Sequence, residues 1–159
     1  MAMQPQSTET AAQVAAIVAD HAGMEGPLLP ILHGIQDQFG YVPQEALPVI
    51  AAALNLSNAE VHGVVTFYHD YRREPAGRHV LRLCQAEACQ SMGSDRAAAL
   101  VKQALGIGFH ETTPDGLVTL EPVYCLGLCA CAPAAMLDGE PIGRLDAHAI
   151  EEIVAEMRS

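Results

Sequence analysis

Residues 79–89, HVLRLCQAEAC, and residues 117–131, LVTLEPVYCLGLCAC, share one plan: a short strand-like run that ends on a pair of cysteines. His79 to Leu83 reads as a strand delivering Cys84 at its end, and Leu117 to Tyr124 as a strand delivering Cys125. Cys84 and Cys89 are spaced C-x4-C, and Cys125 and Cys129 are spaced C-x3-C. Loops on two adjacent strand ends would present four thiolates to one centre. Such a donor set suits either a binuclear iron–sulfur cluster or a structural zinc ion.

Working outward, Ser94 to Leu105 predicts a helix stopped by Gly106. Phe109 to Thr113 and Leu117 to Tyr124 flank Pro114-Asp115-Gly116, a turn that makes them a hairpin. Ala134 to Leu137 and Glu140 to Ile142 flank Asp138-Gly139 as a second hairpin, and Asp146 is placed to cap a last helix, Ala147 to Met157. This alternation of strands and helices predicts an α/β or α+β domain with helices packed on a mixed sheet.

Upstream the chain changes character. Seven carboxylates and no Lys or Arg precede Arg72, and all five cysteines lie after it. This part reads as four short helices: Thr10 to Ala19; Leu28 to Phe39, with Leu29, Leu32, Ile35 and Phe39 on one face; Gln44 to Leu54, with Pro43 at its first position; and a fourth begun by the capping box Ser57-Asn58-Ala59-Glu60. His21, His33, His62 and His69 are not paired at ligand spacing and read as surface or satisfied core side chains. Arg73-Glu74-Pro75-Ala76-Gly77 breaks regular structure, which sets the expected domains at 1–76 and 77–159. Around that boundary Arg72, Arg73, Arg78 and Arg82 gather beside Val64-Val65-Thr66-Phe67-Tyr68. Either this segment offers docking anchors, or Phe67 and Tyr68 fill a junction.

Tight C-x2-C turns wrap one zinc ion, whereas the wider loops found here leave room for two irons, one to each loop. Leu126, Gly127, Leu128, Ala130 and Ala132 add an apolar surround that excludes water. Zinc and inert buried thiols remain the alternatives. Cys131, C-x-C from Cys129, reads as a small buried hydrophobe. An odd cysteine count argues against a disulfide framework, and MAMQPQSTET lacks the pattern of a secretory leader. The net charge of −11 leaves no footprint for nucleic acid or anionic lipid, and no uncharged stretch is long enough to span a bilayer. The expectation is a cytoplasmic protein without direct membrane insertion.

The runs FGYVPQEALPVIAAALNLSNAEVHGVVTFYHDY, RLCQAEACQSMGS and VYCLGLCACAPAAMLDG together resemble the small [2Fe-2S] subunit of the NADH-oxidising module of NADH:quinone oxidoreductase. The resemblance runs from about Gly26 to about Arg144. Within that family, EGPLLPILHGIQDQFGYVP is most similar to the gamma subunit of soluble NAD-dependent formate dehydrogenases, and similar subunits serve NAD-reducing hydrogenases. The resemblance implies an α+β architecture, a helical bundle followed by a thioredoxin-like domain. It implies one [2Fe-2S] cluster on Cys84, Cys89, Cys125 and Cys129, with Cys131 outside the usual pattern. It also implies a larger flavoprotein partner, which binds FMN and NAD and exchanges single electrons with the cluster in a hetero-oligomeric oxidoreductase. The chain itself carries no G-x-G-x-x-G after a strand, since Gly106-Ile107-Gly108 is a helix end entering a strand. No substrate site or catalytic residue is expected in it.

Overall fold

Gly40 and Asn55 end two helices as their chemistry predicts. In the computed structural model, which describes residues 5–158, α2 (Leu28–Phe39) closes on Gly40 at φ 78 and α3 (Ala46–Leu54) on Asn55 at φ 54. Both caps are left-handed, and their N–H groups return to Gln36 O and Ala51 O. The first helix, α1 (Pro5–His21), starts earlier than the Ala-rich run suggests, because a first turn accepts proline. Pro43 does not open α3 but sits one turn ahead of it, its carbonyl accepting from Ala46 N–H at 3.0 Å. On α2 the buried stripe is Ile31, Leu32 and Ile35; Leu29, placed inward on periodicity alone, is 37% exposed. These side chains meet Val14, Ile50 and Val61 in the core of the helical unit.

The fourth helix, α4 (Asn58–Phe67), has both halves of its capping box: Ser57 Oγ accepts from Glu60 N–H at 3.2 Å and Glu60 Oε2 accepts from Ser57 N–H at 2.8 Å. Ser57→Ala is expected to destabilise this unit by about 1 kcal/mol, read as a lowered urea midpoint. The Ser57 backbone N–H, then its hydroxyl, holds the Glu60 carboxyl below its ordinary range. Its contribution is therefore present above the ordinary carboxylate range and lost as pH falls through the lowered value. Ser57→Ala, which keeps the backbone N–H and loses only the hydroxyl, should flatten that acid dependence in part.

The chain divides into two compact units, Met1–Pro75 and Ala76–Ser159. The second contains β1 (His79–Cys84), α5 (Glu87–Ser91), α6 (Ser94–Leu105), β2 (Glu111–Thr112), β3 (Val118–Val123), β4 (Ala135–Leu137), β5 (Glu140–Ile142) and α7 (Ala147–Met157). The strands form one mixed sheet in the order β2-β3-β1-β4-β5, in which only β1 and β3 pair in parallel. A parallel pair needs a crossover, and α6 lies within it. Leu81, Leu83, Val101, Leu120, Ile150 and Met157 share one core between the sheet and α6 and α7. Asp138 and Gly139, both at positive φ, turn β4 into β5, and Asp146 caps α7 by accepting from Ala149 N–H at 2.9 Å. The strand expected over Phe109 to Thr113 shrinks to Glu111–Thr112, because His110 takes φ 65 and leaves extended backbone. Among the described residues, no helix is long and apolar enough to cross a membrane.

Candidate metal centre

Register brings the two cysteine pairs to the same end of the sheet. In the parallel pairing Cys84 stands opposite Val123, so the loops leaving β1 and β3 start side by side, and Gln85 N–H donates to Val123 O at 2.7 Å. On the other flank of β1, β4 runs antiparallel and Cys84 N–H donates to Ala134 O at 2.9 Å. The loop from 124 to 134 thus leaves and re-enters the sheet beside Cys84. A one-residue slip would turn every side chain to the opposite face and misdirect Cys84.

Local sequence does the rest. In the first loop the short α5, which no periodicity announces, carries Cys89 inward; Gln90 N–H bonds to Ala86 O at 2.9 Å and Gln90 Nε2 to Gln85 O at 3.1 Å. In the second loop Cys125 adopts φ 132, a region a side chain rarely enters, and Gly127 follows at φ 74. Gly127 N–H then donates to Cys125 Sγ at 3.4 Å. Backbone held in such a region costs energy, and it is characteristic of ligand-holding loops. Cys129–Cys131 forms a single 3-10 turn, followed by a cis Ala132–Pro133 bond.

Cys84 and Cys89 are each 2% exposed and pack with Ala134, Val123, Leu126 and Leu128, whereas Cys125 and Cys129 are exposed. Burial pushes the Cys89 thiol up, the hydrogen bond and negative charge of Cys84 and the charge of Cys129 add to this, and the Ala134 N–H acts in the opposite sense. Cys84 and Cys89 thus share one buried cluster, while Cys125 and Cys129 lie exposed on the loop that leaves β3 beside Cys84. Crowded acids resist ionising together unless a cation accepts them, and a metal deprotonates a coordinating thiol outright. The donor set fits a two-iron group: all sulfur, walled by apolar side chains, two thiols from each loop. Among the described residues, no three His, Cys, Asp or Glu side chains gather as round one ion. Cys131 is half-buried rather than buried, at the end of the turn.

The remaining residues singled out in the sequence lie elsewhere. His79 sits at the opposite end of β1 from Cys84, its Nδ1 2.6 Å from Asp138 Oδ2, and His110 is exposed. His21 Nδ1 lies 2.7 Å from Ile17 O, and the His33 ring is tilted against Tyr71 at 5.2 Å. Arg82 pairs through Nε with Glu121, its neighbour across the β1–β3 register, at 3.0 Å. Phe67 and Tyr68 do not fill a core: they are 73% and 44% exposed and meet edge to face at 5.1 Å.

Comparison with known proteins agrees with this geometry. The chain is 42% identical over 109 residues to an NADH-quinone oxidoreductase subunit of Pseudomonas aeruginosa, a match covering 69% of this chain and 66% of that protein. It is 35% identical over 143 residues to the NADH-quinone oxidoreductase subunit of the same name from Mycobacterium tuberculosis, covering 90% of this chain and 57% of that one. The chain thus spans less than two thirds of the length of these relatives. The NADP-reducing hydrogenase subunit HndA of Solidesulfovibrio fructosivorans is 33% identical over 83% of this chain and 77% of its own length. Among solved structures, an NAD+-reducing [NiFe]-hydrogenase in the H2-reduced state superposes with a TM-score of 0.70 at 25% identity, over 82% of this chain and 22% of that chain. The family described as thioredoxin-like [2Fe-2S] ferredoxin matches residues 14–158. A match of that extent, through both units and both cysteine loops, settles what the spacing left open: the chain belongs to the thioredoxin-like [2Fe-2S] ferredoxin family, and the group it carries is a [2Fe-2S] cluster.

Proposed function

We propose that this chain is an electron-transfer subunit whose cluster, held by Cys84, Cys89, Cys125 and Cys129, exchanges single electrons with the FMN of an NAD-binding flavoprotein partner in a cytoplasmic oxidoreductase complex. The observation that carries the reading is the asymmetry of the thiols. Cys84 and Cys89 are sealed in an apolar pocket while Cys125 and Cys129 open to the surface, so the centre has an anchored side and a side a partner reaches. Relatives named as subunits of NADH-quinone oxidoreductase and of a hydrogenase support a role inside a larger assembly. So does the hydrogenase structure, where the matched region is 22% of one long chain. We place the cluster in residues 77–159 and assign the helical part, 1–76, to docking. The catalysis of NAD and of the second substrate belongs to partners.

Which complex it serves is a finer matter. The run EGPLLPILHGIQDQFGYVP favours an NAD-dependent formate dehydrogenase; a respiratory NADH:quinone oxidoreductase or a hydrogenase would use the chain in the same role. The deciding experiment is purification from the native host with the chain tagged: a red-brown chain holding two irons and two sulfides, with a flavin-containing partner and formate-dependent NAD reduction, supports the reading. A colourless zinc protein overturns it. Phe67→Asp together with Arg73→Glu should weaken co-purification with the flavoprotein about tenfold or more, as loss of an exposed aromatic anchor does. Unchanged recovery across a salt series would remove this surface from the interface.

A further inference from the structure

The loop between β3 and β4 is closed at its far end by residues distant in sequence. Arg144 N–H donates to Cys131 O at 2.6 Å and Leu145 N–H to Pro133 O at 3.0 Å, while the Leu145 side chain is buried in the sheet core. At Gly143 the three nearest atoms to a side chain's first carbon would all belong to Cys131: its Cβ at 2.6 Å, its carbonyl oxygen at 3.0 Å and its carbonyl carbon at 3.7 Å. Real Cβ atoms do not approach below 3.0 Å, so something must shift. Gly143 does not sit at positive φ, so glycine is required here for space and not for conformation.

The atom in the way is not the free end of a flexible chain. Cys131 Cβ is bonded to the backbone, and its carbonyl is already tied to Arg144, so relief requires the turn itself to move. That turn also holds Cys129: Cys131 N–H bonds to Leu128 O at 2.9 Å and Ala132 N–H to Cys129 O at 3.4 Å. We infer that Gly143 is a positioning residue for the metal centre: its missing side chain seats Cys131, and that seat fixes where Cys129 presents its sulfur. The inference rests on the assignment of Cys129 as a ligand. It gives the fifth cysteine a place in the fold, since Cys131 turns its Cβ toward Gly143 as part of the loop's clasp.

The test uses the full chain with its cluster. Gly143→Ala should speed iron release to a chelator about tenfold or more, in keeping with the loss expected when support around a ligand is removed. It should also shift the g values of the reduced protein. Adding Cys131→Gly to Gly143→Ala removes the 2.6 Å contact and should restore both readouts toward the wild type. Gly63→Ala, with nothing within 4 Å, is the control and should change neither. If Gly143→Ala does not fold, the double variant should fold and load its cluster. A Gly143→Ala protein with native release and spectrum, or a double variant no better than the single one, overturns the inference. Cys129→Ser separates the two layers: a fully loaded Cys129→Ser protein defeats the ligand assignment, whereas normal cluster loss there with a silent Gly143→Ala defeats the clasp alone.

Discussion

Serine at Cys84 or Cys89 should abolish the cluster, and serine at Cys125 or Cys129 should degrade it with some iron retained. All four substitutions replace a thiol, which a bound metal deprotonates outright, with a hydroxyl, a far weaker acid, and a cluster needs four anionic donors. The gradation comes from burial. At Cys84 and Cys89, each 2% exposed, the new hydroxyl lies among Ala134, Val123 and Leu126, away from water. A buried hydroxyl without a partner costs about 1–3 kcal/mol beyond the lost ligand. At the exposed Cys125 and Cys129 water reaches the site and can supply a donor. Cys131→Ser keeps the Cβ that seats against Gly143 and should keep its iron. Iron and acid-labile sulfide, with the visible spectrum, measure all five. If Cys131→Ser loses the cluster while Cys129→Ser keeps it, the assignment is wrong.

The cluster-free protein should show the electrostatic side of the same pocket. Folding raises the Cys89 thiol, so the folded state favours the protonated form. Stability from this group is therefore complete below the ordinary thiol range and is lost as pH rises through the raised value. A urea midpoint of the iron-free chain that falls from neutral to alkaline pH fits; in Cys89→Ala that fall should be smaller.

Elements announced by end signals are legible in the sequence, whereas features set by tertiary contact are not. Gly40, Asn55, Gly106 and Asp146 delimit α2, α3, α6 and α7 because a cap acts on its own helix. Periodicity points Leu29 inward and misses Ile31, because a helical repeat leaves the direction of the buried face open until α1 and α3 pack on it. The five residues of α5 are too few to show a period, and they hold because Cys89 is drawn into the pocket. Cysteine spacing reveals the two pairs, but their common end depends on the parallel register of β1 and β3, and the contrast between buried and exposed thiols on the return of β4 to Cys84. Gly143 carries no local signal. Its reason lies twelve residues upstream, in the base of Cys131.

Full reduction should require a strongly negative potential, near the roughly −400 mV of plant-type ferredoxins and far from the roughly −150 to +300 mV of centres with two histidine ligands. Four thiolates and two sulfides round two ferric ions leave a formal charge of about −2, and an added electron makes this more negative. The described residues offer that charge little relief. Gly127 N–H reaches Cys125 Sγ at 3.4 Å and the Ala134 N–H favours ionised Cys89, but no Lys or Arg occurs between Lys102 and Arg144. The surplus of carboxylates, which takes the chain to −11, acts in the same direction but more weakly, since surface charge is screened beyond about 10 Å at moderate salt. Burial of Cys84 and Cys89 is the larger influence, because a low-dielectric wall penalises each added charge. Neither His79, held by Asp138 at the far end of β1, nor the exposed His110 is placed to replace a thiolate. Titration of the purified chain against a series of dyes, followed by paramagnetic resonance, should show one electron taken up per protein and no nitrogen hyperfine coupling. A midpoint above zero millivolts, or a histidine nitrogen in the spectrum, would mean that the thiol set described here is not the one that holds the irons.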